Sequence, residues 1–333
     1  MAIIIRFIFD WIVNLTNVQP NSYCAFLAIR KLSKQYRGSS SYALKDVSLD
    51  VNLGELTALT GPNGAGKTTL LGIISSAVKA SSGEIYYKGS SLLKSPKVAR
   101  RISASMPQWY APIRGVNVLE SLSAAAMIRG VPKAESKRKA TAYLEQLGIG
   151  DYAKTCSEKL SGGLQRLVSF GMTALQPAEL YLFDEPTNDI DASRRLQLWQ
   201  HMRQLADNGH AVMIVTHDMQ HTTQYVDRFM VVESGKLVLD ATPDTLTSLA
   251  SQLVIRFNNS NLPIIIEEGM QRWKRVDEDK NDYYLVPKTQ FSLISNLYRN
   301  ALQTLPDLDL VVSPVTFNLI YHDLLQQSEG GVR

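Results

Sequence analysis

The chain has 333 residues, of which 45% are hydrophobic, and its 35 basic and 31 acidic residues give a formal net charge of +4 at pH 7. This length suits one domain of ordinary size with a smaller one attached. A charge this small gives no electrostatic argument for nucleic-acid binding. The two cysteines, Cys24 and Cys156, lack the spacing of a metal or redox site, which favours a reducing compartment.

The first 25 residues predict an amphipathic helix. Apolar side chains recur at helical spacing on one face: Ile3, Ile4, Phe7, Ile8, Trp11, Ile12 and Leu15. Arg6 and Asp10 interrupt the apolar run, which is too short to span a bilayer, and no basic leader suggests a signal peptide. Two interpretations stay open: the helix docks on a membrane surface or a partner, or the start is placed too early and the extension is disordered.

The clearest local motif is a glycine-rich loop between a strand and a helix. An apolar run at residues 56–60 predicts a buried strand, and residues 69–77 predict a helix. The loop between them matches the phosphate-binding pattern G-x-x-x-x-G-K-[ST] at every fixed position and consists of Gly61, Pro62, Asn63, Gly64, Ala65, Gly66, Lys67 and Thr68.

The residue types of this loop predict nucleotide binding. Glycines permit backbone conformations in which successive amides turn inward around phosphate oxygens. The positive end of the following helix adds to this attraction. Lys67 has the length to reach the β- and γ-phosphates, and the Thr68 hydroxyl suits a Mg²⁺ ligand.

Residues 116–147 are rich in helix formers and break at Gly130-Val131-Pro132, which predicts two helices. The charged run at residues 135–139 is typical of a solvated helix face.

Two further apolar strands end in polar residues that suit phosphate chemistry. Residues 181–183 lead into Asp184 and Glu185, and residues 211–215 lead towards His217. Ligands gather at such strand ends in open α/β sheets. We expect Asp184 to hold Mg²⁺, Glu185 to polarise the attacking water as a general base, and His217 to hydrogen-bond the γ-phosphate.

Together with Leu160-Ser161-Gly162-Gly163, these motifs resemble the nucleotide-binding domain of ATP-binding-cassette (ABC) proteins over residues 26–250. The resemblance implies an α/β phosphate-loop ATPase domain with a helical subdomain within residues 116–147. It implies that Tyr36 stacks on adenine and that Gln108 senses the γ-phosphate and Mg²⁺. It adds Thr69, Ser161, Gly162, Gly163 and Asp191 to the residues that contact ATP, with Asp191 in a loop that crosses between two such domains.

Three positions depart from the usual family pattern. Leu164 stands where the signature commonly has glutamine, and Asp189 and Ala192 stand where many relatives have glycine and proline. Ser161 and Gly163 are intact, so these changes bear on the geometry of the partner more than on hydrolysis.

Residues 251–333 predict a small α+β appendix. Short strand candidates lie near residues 253–257, 264–266, 273–276, 283–286 and 308–312, with helices near 291–302 and from about 317. The predicted domains are therefore an N-terminal extension (residues 1–25), the ABC ATPase domain (26–250) and this appendix (251–333). The pattern of short strands and helices predicted for this appendix is similar to that of the C-terminal extension of type-2 ABC exporter ATPases.

The resemblance implies an ATP hydrolase that binds ATP and Mg²⁺, forms a dimer, and works with a separate membrane-spanning permease at the cytoplasmic face of the membrane. Residues 115–120 and 128–131 resemble type-2 exporters, which favours export. The alternative is an ABC ATPase that acts on a ribosome, DNA or a signalling partner. The chain shows neither the tandem domains of the ribosomal kind nor the coiled-coil insertion of the DNA kind.

Overall fold

The computed structural model describes residues 25–109, 112–217, 222, 224–243, 252–257, 274–278, 281–303, 305–306 and 308–314. The chain divides into two compact units, with the division after Ala241. The predicted N-terminal helix, the strand candidate at residues 264–266 and the last predicted helix lie outside the described residues.

The unit that precedes Thr242 contains two sheets. Its strands are β1 (Leu27–Gln35), β2 (Tyr42–Val51), β3 (Leu56–Thr60), β4 (Ser82–Tyr87), β5 (Ser90–Ser91), β6 (Ser103–Met106), β7 (Leu180–Asp184), β8 (Ala211–Val215), β9 (Arg228–Glu233) and β10 (Lys236–Ala241). One sheet has the order β2-β1-β4-β5 and antiparallel pairing. The other has the order β10-β9-β3-β8-β7-β6 and is parallel except for the β9–β10 pair.

Helices cover the sheets and form the predicted helical subdomain. They are α1 (Lys67–Ile74), α2 (Pro96–Ile102), α3 (Val118–Ile128), α4 (Lys133–Gln146), α5 (Gly162–Ala174) and α6 (Ala192–Asp207), with 3₁₀ turns at Gly150–Tyr152 and Ser157–Lys159. The break predicted at residues 130–132 separates α3 from α4. Helix α3 starts with a capping box, in which the Asn117 side chain accepts from the Glu120 amide and the Glu120 carboxylate accepts from the Asn117 amide.

The parallel arrangement places the predicted motifs at one edge of the sheet. Strands β3, β7 and β8 are buried at every position, which explains their uninterrupted apolar sequences. Because parallel strands point the same way, the segments that follow β3, β6, β7 and β8 all emerge at the same edge. This edge is where the sequence predicts the nucleotide site.

The second unit is a four-stranded antiparallel sheet with a helix, as the predicted α+β appendix requires. Its elements are β11 (Gln252–Phe257), β12 (Lys274–Glu278), β13 (Asn281–Pro287), a 3₁₀ turn at Lys288–Gln290, α7 (Phe291–Ala301) and β14 (Leu310–Pro314). The strand order is β12-β13-β11-β14. Its small core is formed by Ile255, Tyr284, Val286, Ile294, Ala301 and Leu308.

Among the described residues, no helix has both the length and the apolar character needed to cross a membrane.

Candidate nucleotide site

The loop between β3 and α1 takes the backbone shape that its glycines permit. Gly61 and Gly66 have φ angles of 147° and 108°. A Cβ at Gly61 would run into the carbonyl oxygen of Val232, and one at Gly66 into that of Ala43. No side chain caps the start of α1, and its first turn carries no acidic residue. The amides of this turn are therefore suited to an anion.

Lys67 lies against this loop. Its Nζ donates to the carbonyl oxygens of Gly61 at 2.6 Å and Pro62 at 2.9 Å. Burial lowers the pKa of the ammonium group, while the nearby carboxyl groups of Glu185 and Asp184 raise it. A positive charge is thus held opposite the two acidic residues that end β7.

Asp184 and Glu185 are both 3% exposed. Burial raises the pKa of Asp184, and a hydrogen bond to the Thr68 side chain opposes that rise. Burial and the charge of Asp184 raise the pKa of Glu185 to about 7. No donor in the described part of the chain reaches Asp184 Oδ1 or Glu185 Oε2. Each of these two residues lines the cleft and has a buried acceptor atom without a partner among the described residues.

Glu185 also has an unusual backbone. Its φ is 52°, in the left-handed region that residues with a side chain rarely adopt. Its amide donates to the carbonyl oxygen of Val215 at 2.9 Å. Such conformations persist where the surrounding structure fixes them, and they concentrate at functional sites.

His217 lies beside this carboxylate. Its Nε2 is 3.1 Å from Glu185 Oε1, and its side chain is 45% exposed. Burial and the charge of Lys67 lower the pKa of His217. The imidazole is therefore neutral at pH 7, and the Glu185 carboxyl group also takes a hydrogen bond from the backbone of His217.

Tyr36 stands at the open side of the same cleft, with 45% of its surface exposed. Its hydroxyl is 3.2 Å from Thr69 Oγ1, and the Lys34 ammonium lies 4.8 Å from the centre of its ring. The contact with Thr69 ties the ring to α1, and the Lys34 ammonium lies over the ring from the neighbouring strand β1.

These residues share one cleft of about 430 Å³. Predicted site residues that line it are Tyr36, Asn63, Gly64, Ala65, Gly66, Lys67, Thr68, Thr69, Gln108, Asp184, Glu185 and His217. Gly61 and Pro62 do not line the cleft but hold Lys67 through their carbonyl groups. The polar lining, with one cation facing two carboxyl groups, suits a phosphate chain that carries a metal ion.

The other predicted residues lie apart from this cleft. The Ser161 side chain caps α5 by accepting from the Leu164 amide, and the Asp191 side chain caps α6 by accepting from the Arg194 amide. Gly162 lines a separate hollow of about 250 Å³ together with Gln108, Trp109, Gln165, Arg166, Asn188 and Asp189. The signature segment, residues 160–163, therefore does not face the cleft of its own chain.

The comparisons with known proteins agree with this geometry. The family model described as "ABC transporter" matches residues 44–188. The sulfate/thiosulfate import ATP-binding protein CysA 1 of Agrobacterium fabrum is 32% identical over 235 residues, which cover 68% of each chain. The chain belongs to the ABC transporter ATP-binding family.

Relatives of this ABC ATPase include proteins of both transport directions. The macrolide export ATP-binding/permease protein MacB of Acinetobacter baylyi is 30% identical over 69% of this chain and 35% of its own length. A solved structure of the ATP binding subunit of an ABC transporter is 27% identical, with a TM-score of 0.62, over 67% of this chain and 92% of that one. The predicted α/β ABC fold is thus confirmed, and the chain is an ATP-binding, ATP-hydrolysing subunit of a transporter.

Sequence reasoning missed Ala43 and Val215, which also line the cleft, and Arg166, which contacts two of its segments. Arg166 lies five residues after Ser161. It donates to the main-chain carbonyl oxygens of Gln108 and Glu185, the latter at 2.6 Å. Since a carbonyl group belongs to every residue, no side-chain pattern at positions 108 or 185 signals this contact.

Proposed function

We propose that this ABC ATPase binds Mg·ATP in the cleft around Lys67, hydrolyses it with Glu185 as general base, and energises export through a separate membrane-spanning partner. The observation that carries the proposal is the convergence of Lys67, Thr68, Asp184 and Glu185 on one polar cleft. A chance glycine-rich turn does not explain two buried carboxyl groups opposite the loop.

ATP binding follows from the loop and the aromatic platform. Loop amides and the start of α1 accommodate the phosphates, and Lys67 can exchange its two carbonyl acceptors for phosphate oxygens. Adenine stacks on the exposed face of Tyr36.

The donor set fits Mg²⁺. The Thr68 hydroxyl, the Asp184 carboxylate and the Gln108 side chain are oxygen donors at the cleft, and Asp184 Oδ1 is a buried acceptor that no described donor reaches. Mg²⁺ is held by few carboxylates together with water and substrate phosphates. This explains why the described residues contain no group of three or more His, Cys, Asp or Glu side chains arranged for a metal. When bound, the ion neutralises charge on the β- and γ-phosphates.

Glu185 is the group best placed to accept a proton from water. Its pKa of about 7 leaves it partly ionised at neutral pH, and a base with a pKa near the working pH transfers protons efficiently. The imidazole lies 3.1 Å from Oε1 and the backbone of His217 donates to the carboxyl group, and together these contacts fix its orientation. His217 can also turn towards the γ-phosphate, since much of its side chain is exposed.

A second copy of the chain completes the site. Ser161, Gly162 and Gly163 lie outside the cleft of their own subunit, and Asp191 lies exposed at the start of α6. The start of α5 is a second amide-rich helix end, which suits the phosphates of a nucleotide held by the partner's loop. The proposed assembly is a homodimer with two shared ATP sites.

Export rests on the resemblance of residues 115–120 and 128–131 to type-2 exporters, and on the α+β appendix. The relatives include both import and export proteins, so they do not decide the direction. We propose that the protein is peripheral and lies on the cytoplasmic face of the membrane, where it binds the permease.

Purification from membranes tests the proposal. We expect the tagged full chain to co-purify with a polypeptide that has several membrane spans. In vesicles that contain this pair with the ATPase outside, we expect ATP to drive the partner's substrate inwards, the equivalent of export. Movement in the opposite direction contradicts export, and recovery with ribosomes or DNA contradicts the transport role.

A further inference from the structure

The carbonyl groups of Gln108 and Glu185 occupy equivalent places on neighbouring strands. Strands β6 and β7 pair in parallel, and their last paired residues are Met106 and Phe183. Gln108 and Glu185 each follow two residues later, where the ladder of backbone hydrogen bonds has ended. The Glu185 carbonyl oxygen accepts a long hydrogen bond from the Asn188 amide at 3.4 Å, and both carbonyl oxygens can accept a further donor.

Arg166 supplies that donor to both. One terminal nitrogen of its guanidinium donates to the Gln108 carbonyl oxygen, and the other donates to that of Glu185 at 2.6 Å. The planar guanidinium holds its donors at a fixed separation. Arg166 therefore connects the two chain segments where the sheet no longer does.

The contact also constrains a strained residue. Glu185 has a φ of 52°, and its amide is held by Val215 on β8. Arg166 donates to the Glu185 carbonyl oxygen, so a hydrogen bond holds each of the two backbone polar groups of Glu185: one to Val215 and one from Arg166. The direction of the Glu185 side chain depends on this backbone conformation.

Arg166 lies on the first turns of α5, the helix that begins directly after Ser161. A helix is a stiff element, so the signature segment and the guanidinium move together. No acceptor among the described residues reaches Arg166 Nε, and its two terminal nitrogens make the hydrogen bonds described above.

We propose that Arg166 is a positioning residue for ATP hydrolysis, which holds the Gln108 segment and the backbone of Glu185 at a fixed separation and ties both to the signature helix. This inference rests on the proposed roles of Gln108 and Glu185. Arg166 does not line the cleft around Lys67. Its loss lowers turnover without weakening ATP binding.

The test compares steady-state kinetics of Arg166→Met, Arg166→Lys and Arg203→Met. Arg203 also donates to two backbone carbonyls, those of Tyr225 and Gly54, but does so away from the cleft. For Arg166→Met we expect kcat to fall by about tenfold or more, with KM for ATP changed by less than about threefold. Arg166→Lys keeps the charge but has one donor nitrogen in place of the two terminal nitrogens that the guanidinium holds at a fixed separation, so we expect a kcat between those of Arg166→Met and the unmodified protein. Arg203→Met is expected to lower Tm and leave kcat unchanged.

A double-mutant cycle with Gln108→Ala separates positioning from general destabilisation. If Arg166 acts through the Gln108 segment, the combined loss of kcat is smaller than the product of the single losses. Faster amide exchange at residues 107–109 in Arg166→Met supports the same conclusion. A kcat of Arg166→Met within about twofold of the unmodified value, or fully multiplicative losses, overturns the inference. Glu185→Gln is measured in parallel: if it stays active, the role of Glu185 fails, whereas an active Arg166→Met beside an inactive Glu185→Gln refutes only the role of Arg166.

Discussion

His217 Nε2 lies 3.1 Å from Glu185 Oε1, and this contact joins the segments that follow two neighbouring parallel strands. Both groups are shifted towards their neutral forms, because burial raises the pKa of Glu185 to about 7 and lowers that of His217. At neutral pH the imidazole is neutral and the carboxyl group beside it is only partly ionised. The fraction of Glu185 that is deprotonated should therefore control the rate.

The pKa of Glu185 sets an expected pH dependence. A general base works when deprotonated, so kcat/KM for ATP should rise with pH and level off above an apparent pKa near 7. The profile is measured from about pH 5.5 to 8.5 with saturating Mg²⁺. The residual activity of Glu185→Gln should lack this rise. A flat profile in the unmodified enzyme contradicts the assignment of Glu185 as the base.

Gly66→Ala should damage the phosphate loop in two ways, by a steric collision and by backbone strain. The new Cβ meets the Ala43 carbonyl oxygen, and the φ of 108° is also unfavourable. We expect Gly66→Ala to lose ATP binding and more than about 1 kcal/mol of unfolding free energy. The control is Gly115→Ala, which has a φ of 75° but open space around the new Cβ, and should lose only about 1 kcal/mol while binding ATP normally. Equal losses in both variants would argue against the collision.

The phosphate loop was predictable because its requirement is local. Every residue from Gly61 to Thr68 contributes through its own backbone or side chain, so the pattern is visible in consecutive positions. Asp184 and His217 were recognisable for a related reason, since each follows an apolar strand and such strands end at one edge. The sequence predicts a domain boundary near residue 250, where short strand candidates replace the ABC motifs, and the two compact units of the structure divide after Ala241.

Contacts between distant segments were not predictable. The Arg166 bridge uses carbonyl groups of Gln108 and Glu185, which every residue type has. Similarly, Arg228 pairs with Asp240 on the neighbouring strand and also donates to the Asp50 carbonyl oxygen, which requires the register of the folded sheet. Single-sequence patterns do not contain that register.

Tyr36→Ala should weaken ATP binding by loss of the stacking surface. Such a loss is worth about 0.5–1.5 kcal/mol, which corresponds to roughly a two- to twelvefold rise in Kd. Tyr36→Phe keeps the ring and loses only the hydrogen bond to Thr69, so its Kd should stay closer to that of the unmodified protein. Tripolyphosphate, which has no base, should bind both variants normally. Weakened tripolyphosphate binding to Tyr36→Ala would instead indicate damage to the loop.

Mixed dimers test whether each ATP site is shared between subunits. One subunit carries Ser161→Arg and the other carries Lys67→Ala. If the signature of one subunit serves the loop of the other, both lesions fall in the same site and the second site stays whole. We expect one trapped nucleotide per mixed dimer. Two damaged sites would show that each subunit uses its own signature.

The central claim is that this chain hydrolyses ATP with Glu185 as the base in a cleft formed around Lys67. Hydrolysis and ATP binding are measured side by side for Glu185→Gln and Lys67→Ala. Glu185→Gln keeps the shape of the side chain, so ATP should still bind while turnover falls on the order of 10²-fold or more. Lys67→Ala should already fail to bind ATP. Turnover by Glu185→Gln close to that of the unmodified enzyme would contradict the account.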